Sequence, residues 1–365
     1  MNNSRWSPNT RAGVAVAVAV VSVVAAVVVI SMQEVPVEQP TDSQAMTPTF
    51  SEETITTPVP SGPVLDPSWQ IDAEAVYGRQ FAAFRSPAAD LMFDSGATGA
   101  VDAGDVLITA IGLPNPRSYS VDAIEFVAVD AEDGDVRWKK SPGSVDQCAS
   151  EAIGNEIVCL DSYSDIPSIV RIGVDDGAVR RTPIPEAWFP YGIESDGESV
   201  FLLEGNPEDG ESVLYGGSVD ALDNMWSRPI TSSAGWDGVE GPLIHVSDGR
   251  GLVTLGGEAS FFDPRTGTPV EGLELTSDAT VVDESGSQVW TLRDPYATET
   301  SVGNTVYSFE EDALVATADS HDVRWRWPLP ERSDGFTESG SIIETRSGVF
   351  FLGTGSMVRL EAVPS

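Results

Sequence analysis

The sequence predicts an all-β protein, a β-propeller of four-stranded blades, and three observations carry that prediction. The first is the stretch Ile124 to Trp138, in which an apolar strand runs into Asp130, a tight turn carries Gly134, and a second strand leads to Trp138. The second is its recurrence. Asp130, Asp175, Asp220, Asp263 and Asp319 each close a short apolar strand, at intervals of 45, 45, 43 and 56 residues. A period in the forties with all-β content is what propeller blades require. The third is the absence of a convincing long helical period from Trp69 onward, where short strands alternate with Gly, Asp, Ser and Pro.

Each unit also carries an upstream apolar run suited to the second strand of a blade: Val106–Ile111, Ile157–Leu160, Val200–Leu203, Leu252–Leu255, Gln288–Leu292 and Val349–Leu352. These runs favour six blades. Seven is the alternative, through a further hairpin around Asn304 to Phe309 or strands from Ala75 to Gly99. Gly177 and Gly267 hold turn positions like that of Gly134. Trp138, Trp226 and Trp325 follow their aspartates by eight, six and six residues, where a last strand returns to pack its ring on the neighbouring blade. The last unit ends before any such strand, and Trp69 supplies the missing piece. A strand around Trp69 is expected to complete the last blade, closing the ring and removing two exposed sheet edges.

The propeller, residues 69–365, is preceded by three other segments. Residues 1–11 form a short tail containing Arg5 and Arg11. Residues 12–31 read as a transmembrane signal-anchor helix, because Gly13 to Ile30 holds no charge and about 18–20 residues cross a hydrocarbon core. The rival is a cleaved signal peptide, but the run exceeds the usual apolar region and no small-x-small cleavage site follows. No cysteine follows either, which excludes lipidation. The next basic residue after Arg11 is Arg79, so the positive-inside rule keeps the tail cytoplasmic and exports the rest. Residues 32–68 are rich in Pro, Thr and acidic side chains and lack basic ones; they are expected to form an extended stalk.

Charge narrows the partners. The 365 residues hold 57 acidic and 20 basic side chains, a net charge of −37, with Lys139 and Lys140 the only lysines. A phosphate-tracking surface needs clustered Lys and Arg, so nucleic acid is excluded, and docking on anionic lipid is disfavoured. The remaining partners are the membrane, through the N-terminal helix, and a protein or cell-envelope ligand.

The two cysteines, Cys148 and Cys159, flank a turn at Gly154-Asn155. Antiparallel strands there place them roughly opposite each other, and an exported compartment permits a disulfide. The spacing does not fit a CxxC redox or zinc motif. His245 and His321 are the only histidines and lie in different repeats. No His-Glu-x-x-His or Gly-x-Ser-x-Gly is present. Acidic turns such as Glu132–Asp135 lack the spacing of a calcium loop and read as solvated hairpins. No catalytic residue and no metal ligand is assigned.

The signature Val129-Asp130-Ala131-Glu132-Asp133-Gly134-Asp135-Val136-Arg137-Trp138 resembles the repeats of the pyrroloquinoline-quinone-like propeller family. That family includes quinoprotein dehydrogenases and non-enzymatic, membrane-attached assembly propellers. The dehydrogenases carry adjacent cysteines over their cofactor and a longer, eight-bladed domain, whereas these cysteines are eleven residues apart. The expectation is therefore a non-enzymatic, membrane-anchored, extracytoplasmic scaffold without a cofactor. The alternative is an extracytoplasmic enzyme, either a quinone-dependent dehydrogenase or a carbohydrate hydrolase using paired carboxylates.

Overall fold

The computed structural model describes residues 62–361, apart from 92–94, 119, 186–189, 207–210, 232–242, 248, 256, 278, 293–298, 311, 319–321 and 332–337. The expected tail, transmembrane helix and most of the stalk lie outside the described residues, as do Asp319 and His321. Among the described residues no helix is long and apolar enough to cross a membrane.

The described strands form seven antiparallel sheets that follow one another along the chain. Sheet 1 contains Ala83–Arg85, Val106–Asn115, Ser120–Asp130 and Val136–Lys140, with Val101–Asp102 beside the second of these. Sheet 2 contains Gln147–Cys148, Glu156–Asp161, Ser168–Gly173 and Val179–Pro183. Sheet 3 contains Pro190–Ser195, Val200–Asn206, Glu211–Gly217 and Trp226–Thr231. Sheet 4 (Leu243–Ser247, Arg250–Leu255, Glu258–Phe262) and sheet 5 (Leu273–Leu275, Thr280–Asp283, Gln288–Thr291) have three strands each. Sheet 6 contains Glu299–Val302, Thr305–Phe309, Ala313–Ala318 and Val323–Pro328. Sheet 7 joins Gly340–Thr345, Gly348–Gly353 and Ser356–Glu361 to Gln70–Asp72 from the other end of the chain, with Gln70 opposite Val358 and Asp72 opposite Ser356. Successive meander sheets with an N-terminal strand completing the last are the arrangement of a β-propeller.

Sequence explains the middle strands. Ile157–Leu160 and Val349–Leu352 are unbroken apolar runs and are buried throughout, because each faces a neighbouring sheet on both sides. The last strands are more polar; Val179–Thr182 is largely exposed. Apolar clusters join sheets 1 and 2, 2 and 3, 3 and 4, 4 and 5, 6 and 7, and 7 and 1.

Two features differ from the sequence reading. Six blades were favoured, whereas seven sheets are present. The long interval before Asp319 contains all of sheet 5, whose last strand, Gln288–Thr291, reads from sequence as the upstream strand of the Asp319 unit, while Thr305–Phe309 is the true upstream strand of sheet 6. The boundary expected between stalk and propeller also differs. Residues 63–65, assigned to the stalk, lie along the last strand of sheet 6, where Arg326 N–H donates to Pro63 O and Leu65 N–H donates to Arg326 O, both at 2.9 Å. Apolar Val64 and Leu65 permit this pairing despite the proline-rich composition around them.

Candidate binding site at the seam of sheets 2 and 3

The repeat residues are turn and packing elements. Asp130 closes its hairpin: its backbone O accepts from Gly134 N–H at 2.9 Å, and Oδ1 accepts from Glu132 N–H at 2.8 Å. Arg137 donates to both Asp130 and Asp105, and its hydrogen bonds are the main reason the Asp130 carboxyl lies below its usual range. Asp263 repeats the pattern with Gly267. In sheet 2 the equivalent position is Gly173, whose O accepts from Gly177 N–H at 2.9 Å. Asp175 lies two residues further on and accepts from Asn155. Asp220 follows the third strand of sheet 3 and pairs across the seam with Arg171 of sheet 2.

Tryptophans sit over these turns. The Trp69 indole donates to Ala131 O at 3.3 Å and covers Gly134; the Trp138 indole donates to Val174 O at 2.6 Å and covers Gly177. Trp226 covers Gly267. Trp325 is buried in the cluster between sheets 6 and 7, 5.8 Å from Tyr307. Each of the three covered glycines has a positive φ. A side chain there would be strained and would also meet the ring.

Cys148 and Cys159 are directly opposite in the first two strands of sheet 2 and form a disulfide. That bond fixes the short first strand, Gln147–Cys148, and the segment that follows the first strand of sheet 1 adds to its other edge. Cys148 N–H donates to Pro87 O and Leu91 N–H to Asp146 O, each at 2.7 Å, while Gln147 Nε2 donates to Ala88 O at 3.0 Å.

Against this anchored edge lies a cavity of about 230 Å³, lined by Asp90, Asp146, Gln147, Leu160, Ser162, Tyr163, Pro167, Pro190 and Tyr191. Sheet 2 supplies most of the lining, the start of sheet 3 supplies Pro190 and Tyr191, and the segment after the first strand of sheet 1 supplies Asp90. Asp146 is 5% exposed. Its Oδ2 accepts from Ser162 N–H, and its Oδ1 is buried without a partner. Burial, then the charges of Asp161 and Asp90, push its carboxyl up to about 6 against the opposing Ser162 hydrogen bonds. Asp161, also buried, accepts from Ser164 Oγ and pairs with Arg181. Tyr163 and Tyr191 are 64% and 41% exposed. Burial of the phenol, with Asp90, Asp146 and Tyr191 nearby, pushes Tyr163 up.

A second buried acid at the same seam is structural. Glu194 Oε1 accepts from Ser150 N–H (2.7 Å), Ser150 Oγ (2.8 Å) and Ser195 N–H (2.8 Å), tying sheet 3 to sheet 2. Burial nevertheless pushes its carboxyl up to about 7. His245 lies in the first strand of sheet 4, and burial lowers its imidazole. Among the described residues no group of three or more His, Cys, Asp or Glu could hold a metal.

No family model matches the chain, and no curated protein matches it. Solved structures similar to it are propellers and related proteins. BamB from Moraxella catarrhalis is 12% identical over 83% of this chain and 99% of that one, with a TM-score of 0.38. A gluconolactonase from Xanthomonas campestris is 13% identical over 83% and 99%, with a TM-score of 0.37. The β-propeller domain of the Trilobed protease from Pyrococcus furiosus is 8% identical over 71% and 78%, with a TM-score of 0.33. Likeness at this level does not bear on what the chain binds.

Nothing in the sequence singles out the residues that line the cavity. Asp146 is one of 57 acidic side chains, and nothing local marks it. Its character comes from three separated segments meeting around it.

Proposed function

We propose that this chain is a seven-bladed, membrane-anchored, extracytoplasmic β-propeller that serves as a binding or assembly scaffold for a protein ligand. The observation that carries the reading is the surface at the seam of sheets 2 and 3. Exposed Tyr163 and Tyr191 border one cavity, and exposed Ile166 adjoins its lining residue Pro167. Tyrosine offers a large contact area at low conformational cost and is enriched at protein interfaces. The repeat signature supports the same reading from the other side, since Trp69, Trp138 and Trp226 are engaged in sheet packing. Uncharged residues 13–30 and basic Arg5 and Arg11 support the anchor and its orientation.

A second reading, a hydrolase, is favoured by one observation: Asp146, in a cavity with its carboxyl near 6, is in the range of a general acid–base. Cross-linking of the full chain in intact cells tests the scaffold, with covalent capture of a defined partner through the Tyr163–Tyr191 surface as the expected result. Stoichiometric quinone uptake with dye reduction, or turnover of an oligosaccharide, would overturn it.

A further inference from the structure

The polar groups of the cavity are unevenly satisfied. Gln147 Nε2 donates to Ala88 O, Ser162 Oγ donates to Pro190 O at 3.0 Å, and Ser162 N–H is engaged by Asp146 Oδ2. These donors are turned into the protein. The acceptor Asp146 Oδ1 has no partner, although a buried polar atom without one is costly. A cavity whose inner donors Gln147 and Ser162 are engaged and whose buried carboxylate lacks one suits a ligand that donates hydrogen bonds and carries positive charge. The acidic Asp90 adds to the field, and the Tyr163 and Tyr191 rings at the rim offer faces to a cation. At about 230 Å³ the space suits one side-chain head group rather than a cofactor.

From these contacts we propose that the cavity receives the cationic head of an Arg or Lys side chain from a protein partner, with Asp146 as its buried anchor. The proposal rests on the scaffold reading and names the chemistry of its ligand. A second copy of this chain is a poor source, since each copy carries a net charge of −37.

The test is calorimetric titration of the full chain with four probes: N-acetyl-arginine amide, N-acetyl-lysine amide, N-acetyl-citrulline amide and cellotriose. At least one of the cationic amides should bind, citrulline at least tenfold more weakly than the tighter of the two, and cellotriose not measurably. Asp146→Asn should weaken the cationic amide at least tenfold. Tyr163→Ala, at an exposed position that the fold tolerates, should weaken it several-fold. Lowering the pH from 7.5 to 5 should also weaken binding about tenfold, as Asp146 protonates in the field of Asp90, the Arg181-paired Asp161, Tyr163 and Tyr191. Binding of citrulline as tight as that of the better cationic amide, unchanged affinity in both variants, or binding of cellotriose alone would overturn the proposal. A partner that cross-links equally to wild type and Asp146→Asn would sink this inference and leave the scaffold standing. Amide binding that Asp146→Asn weakens, without any cross-linked partner, would sink the scaffold and the protein source of the cation, and leave Asp146 as a cation anchor.

Discussion

The indole of Trp69 rests on the backbone of Gly134, so closely that a Cβ added there would stand 2.7 Å from the ring. The contact joins the strand that completes sheet 7 to the last turn of sheet 1. It therefore fastens the two ends of the propeller to each other, and it separates two effects usually confounded in glycine substitutions. Gly104 has a positive φ of 89° with open space around it, whereas Gly134 has a φ of 79° and a ring against it. Gly104→Ala is expected to cost about 1 kcal/mol from backbone strain alone. Gly134→Ala should cost about 3 kcal/mol, because the clash with Trp69 adds to the strain. Urea denaturation of the two variants measures the difference.

The disulfide gives a second expectation. Cys148 and Cys159 are 11 residues apart, so reduction frees only a short loop and should lower stability by about 2–3 kcal/mol. The local effect should be larger than the global one. The first strand of sheet 2 is only Gln147–Cys148, and it carries the edge on which Pro87 and Leu91 are hydrogen-bonded. Hydrogen exchange should show Cys148 and Leu91 amides losing protection on reduction, while amides in sheet 6 keep theirs.

These features differ in how far the sequence exposes them. Trp69 is legible because the last unit lacks its final strand and only one earlier segment offers a tryptophan in the right context. The cysteine pair is legible because both residues flank a Gly-Asn turn. Sheet 5 is legible only in part: its hairpin carries Asp283, Gly286 and Trp290, but the run Gln288–Leu292 reads as the upstream strand of the Asp319 unit, which merges sheets 5 and 6 into one. Gly173 hides for another reason: Asp175-Asp176-Gly177 contains two aspartates, and only backbone hydrogen bonding shows that the turn opens at the preceding glycine. The cavity is least legible, because Asp90, Asp146 and Tyr191 come from three parts of the chain.

Two buried acids fix a pH dependence of stability. The Asp146 carboxyl is raised from 3.8 to about 6, and Glu194 from 4.5 to about 7. The folded chain therefore keeps protons that the unfolded chain has released, and stability falls as pH rises between about 4 and 7. Each group contributes on the order of 2–3 kcal/mol to that fall. Thermal melts of wild type should drop across this window. Asp146→Asn and Glu194→Gln should each flatten the slope, and an unchanged slope in both would contradict the assignment.

Arg181 completes the electrostatics beneath the cavity. One guanidinium nitrogen pairs with Asp161, and the other donates to Pro142 O at 2.8 Å and Ser144 O at 2.7 Å. The Asp161 side chain is 2% exposed, so removing Arg181 leaves a buried carboxylate with Ser164 as its remaining side-chain donor. Arg181→Ala should cost about 3 kcal/mol, near the lower end for breaking a buried pair, because the arginine itself is partly solvated. Arg181→Lys should recover only part of this, since one ammonium lacks the planar fork that spans the carboxylate and two carbonyls. Adding Asp161→Asn to Arg181→Ala removes the stranded charge and should restore stability by at least 1 kcal/mol, as a double-mutant cycle in urea would show. If the three variants instead lose stability additively, Arg181 acts by tethering the loop at Pro142 and Ser144 and not by neutralising Asp161.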